Sequence, residues 1–140
     1  MKTKQITLSI LSVILLTFTA STLFAQEDKK LAKAEANFCK SLNNLAVALE
    51  TLDETNANST MDEFRSAYKA AEKAWNKFQK SAEKLEKVEI KESQKAYDKL
   101  VDAVNDIEGE TKTSEAANQI NTHIDNTATE IADIMTFVCD

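Results

Sequence analysis

Residues 61–85 read MDEFRSAYKAAEKAWNKFQKSAEKL, and this stretch decides the fold class. Its apolar residues recur at alternating steps of three and four, which places them on one face of an α-helix. These residues are Met61, Phe64, Tyr68, Ala71, Trp75, Phe78, Ala82 and Leu85. A second face carries a run of lysines, called here the lysine stripe: Lys69, Lys73, Lys77, Lys80, Lys84 and Lys87. The stretch therefore predicts an amphipathic helix that buries its apolar face against other helices.

Three further segments show the same helical spacing of apolar residues. The first contains Leu31, Ala34, Phe38, Leu42, Leu45, Leu49 and Leu52. The next contains Tyr97, Leu100, Val104 and Ile107, and the last contains Ala117, Ile120, Ile124, Thr127, Ile131, Ile134 and Val138. We therefore predict four helices, over about residues 28–52, 60–87, 93–108 and 114–138.

The sequence indicates the start of the second helix more clearly than its end. Residues 53–60 lose the periodicity, and either Ser59 with Asp62 or Thr60 with Glu63 can cap the helix that follows. Val88 and Ile90 are only two residues apart, a spacing that one helical face does not accommodate.

This slip in phase predicts a turn near Val88–Glu92, with Ser93 as the cap of the third helix. One long helix from Met61 to Glu108 is the alternative, because no Gly or Pro enforces the break. Gly109 stands where a left-handed C-terminal cap belongs.

Composition supports an all-α architecture. The 140 residues include one Gly and no Pro, too few turn residues for a β-sandwich and too few glycines for a phosphate-binding loop. Four amphipathic helices with short connections bury their faces against one another. We predict a single domain over residues 26–140, an antiparallel up-down four-helix bundle formed after removal of an N-terminal signal peptide.

Residues 1–25 have the layout of a secretory signal peptide. Lys2 and Lys4 precede an apolar run, and Ala25 is placed for cleavage before Gln26. An uncleaved membrane anchor is the alternative, although the apolar run is short for a bilayer. The layout is bacterial in style and predicts export to the periplasm or the outside, with no membrane span in the mature chain.

Charge is unevenly distributed along the chain. Residues 26–140 hold 15 basic and 23 acidic residues, a net charge of −8, which argues against nucleic acid as a partner. Residues 60–99 carry +2 and residues 100–140 carry −8, and the last helix has no Lys or Arg. The lysine stripe is either a solvated face or a surface for an anionic partner. The acidic helix is either the complement of a basic neighbouring helix or a patch for a cationic partner or a weakly bound divalent cation.

Cys39 and Cys139 are the two cysteines, and export would place them under oxidising conditions. With Leu31 opposite Val138 in an antiparallel pair, Cys39 and Cys139 would lie about 12 Å apart along the helix axis, too far to bond. A shift of one heptad, or a frayed last turn of the fourth helix, would close most of that gap. An intramolecular disulfide, free thiols and an intermolecular disulfide therefore all remain open.

The candidates for chemistry are few. His123 is the one histidine, and the residue three positions before it is Ile120, so the Glu-x-x-His motif of metal-binding bundles is absent. We predict no metal site and no cofactor. A b-type haem held by His123 and Met61 is a minor alternative, suggested by architecture alone.

With no nucleophile beside a base, we predict no enzyme activity. The leading functional hypothesis is a small exported protein that acts by binding or structural interaction, as a monomer or weak dimer. The alternatives are a haem electron carrier and a periplasmic chaperone-like stress protein.

Overall fold

The computed structural model describes the backbone of residues 6–55, 59–107 and 113–139, and the side chains from Gln26 onward except that of Thr113. Within these ranges the chain forms four helices and no strand: α1 (Ile6–Asp53), α2 (Met61–Ala82), α3 (Lys91–Asn105) and α4 (Thr113–Val138). The predicted all-α four-helix bundle is confirmed. None of the described helices contains an apolar stretch long enough to cross a membrane.

The chain divides into two compact units, Met1–Lys33 and Ala34–Asp140. The first unit holds the beginning of α1, which starts at Ile6 and so begins well before the predicted residue 28. Side chains 26–33 are all exposed, and Leu31, expected in the core, is 49% exposed. Cleavage after Ala25 and the boundary at residue 26 remain predictions.

Within the second unit each helix contacts the next one along the chain. The rings of Phe38 and Phe78 join α1 to α2, and their centroids are 5.6 Å apart. Trp75 stacks on Tyr97 to join α2 to α3, and α3 packs along α4. Cys139, directly after α4, lies beside Cys39 of α1. The helices therefore form a closed ring, in which α2 and α4 occupy opposite corners.

The core follows the predicted stripes closely. The large side chains that are fully buried all belong to the predicted stripes: Phe38, Leu42, Leu45, Leu49, Leu52, Phe64, Phe78, Leu100, Ile120 and Ile131. On α2, Met61 and Tyr68 of the predicted stripe are only half-buried, whereas Ala67, which was not part of that stripe, is buried. On α1 the buried stripe begins at Phe38, one heptad later than predicted.

The first turn of α2 settles which capping pair is used. The hydroxyl of Thr60 accepts a hydrogen bond from the Glu63 backbone N–H at 3.2 Å, and the Glu63 carboxylate accepts one from the Thr60 backbone N–H at 2.7 Å. This reciprocal capping box satisfies two N–H groups that a helix start leaves unpaired.

The break between α2 and α3 is real, so the alternative of one long helix from Met61 to Glu108 is wrong. The break comes earlier than predicted: α2 ends at Ala82, and tight turns bond Leu85 N–H to the Ala82 carbonyl and Val88 N–H to the Leu85 carbonyl. These turns bury Leu85.

The two predicted caps of α3 differ from the structure or lie outside the described residues. Ile90 is the N-cap of α3, with no side-chain cap. Ser93 is not the cap; its buried hydroxyl donates to the Ile90 carbonyl at 2.8 Å. The third helix ends at Asn105 rather than about 108, and Gly109 lies outside the described residues.

The cysteines correct the predicted register. The Cα atoms of Cys39 and Cys139 are 5.8 Å apart and the sulfur atoms lie at disulfide distance. The register with Leu31 opposite Val138 is therefore wrong. Because α1 buries its stripe only from Phe38 onward, the last turn of α4 lies about one heptad further along α1 than predicted.

Replacing both cysteines by serine should lower the free energy of unfolding by up to about 4–5 kcal/mol, since the link spans 100 residues and would restrict the unfolded chain. Urea unfolding with and without a reductant measures this. Reductant should destabilise the wild type to the level of the double variant and leave the double variant unchanged. An unchanged wild-type midpoint in reductant would show that the two cysteines do not pair.

Candidate functional site

One end of the bundle carries a groove of about 500 Å³, called here the end groove. One wall comes from the α2–α3 connection and the first turn of α3, and the other comes from the last turns of α4. Its lining residues are Lys87, Val88, Glu89, Lys91, Glu92, Ser93, Glu130, Asp133, Ile134, Phe137 and Val138. The Cys39–Cys139 pair lies at the same end, because Cys139 directly follows Val138.

The α4 wall arises from helical spacing at the end of the core. Residues 130, 133, 134 and 137 lie on one side of α4 because they are three or four positions apart. Burial falls from the core stripe of α4 towards this side: Ile131 is 1% exposed, Ile134 is half-buried and Phe137 is 85% exposed. Phe137 is exposed because it lies about 100° around the helix from Val138, away from the core stripe.

Phe137 is the most exposed of the large apolar side chains that the structure describes. Its neighbours in the groove, Val88, Ile134 and Val138, are half-buried, so they provide an apolar floor beside the exposed ring. An aromatic side chain on an apolar floor with a charged rim is the arrangement found at protein–protein contacts.

Charged side chains form the rim of the end groove. Glu130 and Asp133 lie on the α4 wall, whereas Lys87, Glu89 and Lys91 lie on the other. Glu89, Lys91 and Asp133 are exposed to solvent, and Glu130 is half-buried. Such side chains can orient a charged partner.

The sixth charged residue of the groove is already paired. Glu92 accepts a hydrogen bond from the Lys95 ammonium at 2.8 Å within α3. This hydrogen bond, helped by the positive charges of Lys95, Lys91 and Lys99, lowers the pKa of the exposed Glu92 carboxyl. Its charge is thus partly compensated before any partner arrives.

The proposed haem ligands do not belong to the end groove. Met61 is half-buried at the start of α2, where it packs against the core, at the other end of the bundle. His123 is half-buried on α4, and its Nδ1 is buried without a hydrogen-bond partner among the described residues. No contact in the described structure joins these two side chains. The described residues also hold no group of three or more metal-binding side chains.

An aromatic cluster joins α2 and α3, and the sequence analysis did not predict it. The apolar stripes show which face of each helix is buried, but they do not show which aromatic rings contact each other. Trp75 and Tyr97 stack with centroids 4.2 Å apart, and Trp75 also contacts Phe78. Burial raises the pKa of the Tyr97 hydroxyl above its usual value, and Tyr68 and Glu72 raise it further. The Tyr97 hydroxyl is buried and has no hydrogen-bond partner among the described residues.

The lysine stripe and the acidic α4 meet at the end groove. All six residues of the lysine stripe are exposed. Lys87, the last of them, lines the groove together with Glu130 and Asp133 of α4. The two roles expected for the acidic helix, complement of a basic neighbour or patch for a cationic partner, remain predictions.

Replacing Tyr97 by Phe should flatten the loss of stability at high pH. The pKa of Tyr97 is higher in the folded than in the unfolded chain, so its contribution is present below about pH 10 and is lost as the pH rises further. The variant should also be at least as stable as the wild type near neutral pH, because it removes a buried unpaired hydroxyl.

Urea unfolding at about pH 8 and about pH 11 separates these effects. Tyr68→Phe is the matched control, since burial and Glu72 also raise the pKa of Tyr68 but its side chain is only half-buried. Equal losses of stability in the wild type and Tyr97→Phe would contradict the assignment.

The chain matches no family model, no curated protein and no solved structure. Its function therefore has to be argued from its own residues and the end groove that they form.

Proposed function

We propose that this chain is a small exported protein that acts by binding another macromolecule, without catalysis, and that the end groove is its binding surface. The observation that carries the proposal is the 85% exposure of Phe137 beside the half-buried Ile134 and Val138. Removing an aromatic side chain of this size from water contributes about 1.5–3 kcal/mol to a complex.

The size of the groove suits side chains of a partner. A volume of about 500 Å³ lies within the range of ligand sites, but such sites enclose most of their ligand. The end groove instead has walls of exposed charged side chains. This arrangement favours a surface contact in which one or two partner side chains lie beside Phe137.

The ionisable groups of the groove support binding more than catalysis. Catalytic acids and bases generally owe a shifted pKa to burial or to a charged neighbour in a cleft. In the groove the Glu92 carboxyl is exposed, and Lys95 on its own helix lowers its pKa. This is the behaviour of a surface ion pair.

The cysteine pair supports export. Disulfides persist in exported proteins and are rare in reducing compartments. The proximity of Cys39 and Cys139 fits the signal-peptide layout of residues 1–25. A chaperone that holds unfolded chains would need a broader apolar surface than the single exposed ring of Phe137 and its floor.

Export makes a direct prediction about the N-terminus. The protein recovered from outside the cytoplasm should begin at Gln26, as measured by its intact mass and N-terminal sequence. Replacing Ala25 by a bulky residue should slow the cleavage, because signal peptidase prefers small residues at this position. Recovery of a chain that still begins at Met1 would contradict this part of the proposal.

Photo-crosslinking at position 137 tests the binding surface. A photoreactive phenylalanine analogue replaces Phe137 in one variant and Val47, which is 53% exposed on α1 and outside the groove, in the other. Irradiation of the cells that export the protein should give a discrete product from position 137 and not from position 47. Mass spectrometry identifies what is attached, including a second copy of the chain.

Similar diffuse products from both positions would contradict binding at the end groove. A discrete product from position 47 alone would move the binding surface to α1. Neither variant is expected to disturb the fold, because both side chains are exposed.

A further inference from the structure

We propose that the end groove takes a cationic amphipathic peptide segment, one whose apolar side chains contact Phe137 and whose Lys or Arg side chains face the carboxylates of the rim. This inference rests on the proposed function, since it names the partner of the same groove.

The apolar half of the groove sets the first requirement. Phe137 is 85% exposed, and Val88, Ile134 and Val138 offer half-buried surface beside it. These side chains come from two separate walls, the α2–α3 connection and the last turns of α4. An apolar side chain placed between the walls would contact both, whereas a purely polar partner would leave the Phe137 ring in water.

The charged half sets the second requirement. The rim has four carboxylates, on Glu89, Glu92, Glu130 and Asp133, against two lysines, Lys87 and Lys91, a net charge of −2. Lys95 is already bonded to Glu92, so Glu130 and Asp133 on α4 are the carboxylates with no lysine on their own helix. A partner cation beside them would add an attraction that their own helix does not provide.

The electrostatic field of the whole protein also favours a cationic partner. Residues 26–140 carry −8, and α4 contains no Lys or Arg. This charge draws cationic partners and repels anionic polymers from the α4 wall. It also repels a second copy of the same chain. Of the six residues of the lysine stripe, Lys87 alone lines the groove, and it is already counted in the rim charge of −2.

A synthetic peptide that alternates leucine and lysine, with a neutral fluorophore, is the probe. Its affinity for the exported protein is measured by fluorescence anisotropy. Two matched peptides replace every lysine by glutamate or every leucine by serine. We expect the leucine–lysine peptide alone to bind, and its affinity to fall as the ionic strength rises from about 0.01 M to about 0.15 M.

Two variants of the protein locate the binding. Phe137→Ser should weaken binding of the leucine–lysine peptide about tenfold, and the control Val47→Ser should not change it. Glu130→Gln with Asp133→Asn should weaken it about fivefold to tenfold. Its control, Glu115→Gln with Asp125→Asn, removes the same charge from exposed positions of α4 outside the groove and should have a much smaller effect.

Other results would overturn the inference in distinct ways. Equal weakening by both pairs of charge substitutions, with no effect of Phe137→Ser, would mean that the peptide binds the negative surface in general. Binding of the leucine–glutamate peptide at Phe137 would leave the groove as the binding surface but reverse the charge of the partner. Self-association that depends on Phe137, seen by sedimentation, would make a second copy the occupant. Absence of any Phe137-dependent binding here, together with a discrete product at position 137 in cells, would refute the partner chemistry and leave the proposed function standing.

Discussion

The contacts of Trp75 and Phe78 hold three of the four helices in place. Phe78 lies 5.6 Å from Phe38 of α1, Trp75 lies 4.2 Å from Tyr97 of α3, and the two rings contact each other at 5.1 Å. A continuous line of four aromatic rings thus runs from α1 through α2 to α3. Each such pair adds about 0.5–1.5 kcal/mol beyond the area that it buries. The fourth helix carries none of these rings, and its buried side chains are isoleucines, alanines and one threonine.

The end groove is a consequence of where this core ends. Leu85 and Ile131 are the last fully covered apolar residues on their two sides of the bundle. Beyond them the α2–α3 connection turns away into α3, while α4 continues for about two more turns. Ile134 and Val138 of those turns stay on the core stripe of α4 and are half-buried. Phe137 is exposed because it lies off that stripe, on the side of α4 that carries Glu130 and Asp133.

The sequence predicted which side chains are buried better than how the helices are aligned. The stripes of α2 and α4 identified the core because burial depends on the 3.6-residue period, a local property. Axial register depends on contacts between helices, and a heptad shift keeps every apolar face inward. Leu31 therefore fitted the stripe but not the core, and the cysteines were placed too far apart.

The candidate site was harder to predict for a related reason. Ile134 and Val138 continue the α4 stripe as if they were core, and Phe137 lies next to that stripe with nothing to mark it as functional. One wall of the groove is formed by the α2–α3 connection, which begins after Ala82, five residues before the predicted end of α2. The slip at Val88 and Ile90 indicated a turn, but the turn begins where Leu85 can reach the core. The residue at which α2 ends is therefore determined by tertiary packing.

The positions of the two cysteines would determine the order in which they appear during the proposed export. If the chain crosses a membrane with its N-terminus first, Cys39 would emerge 100 residues before Cys139. During that interval its thiol would have no correct partner and would meet the thiols of other exported proteins. Cys39 is half-buried and follows Phe38, whose ring lies against Phe78. Early docking of α1 on α2 would therefore shield the Cys39 thiol. The contact between Phe38 and Phe78 would in this way slow the formation of wrong disulfides until the last turn of α4 has folded.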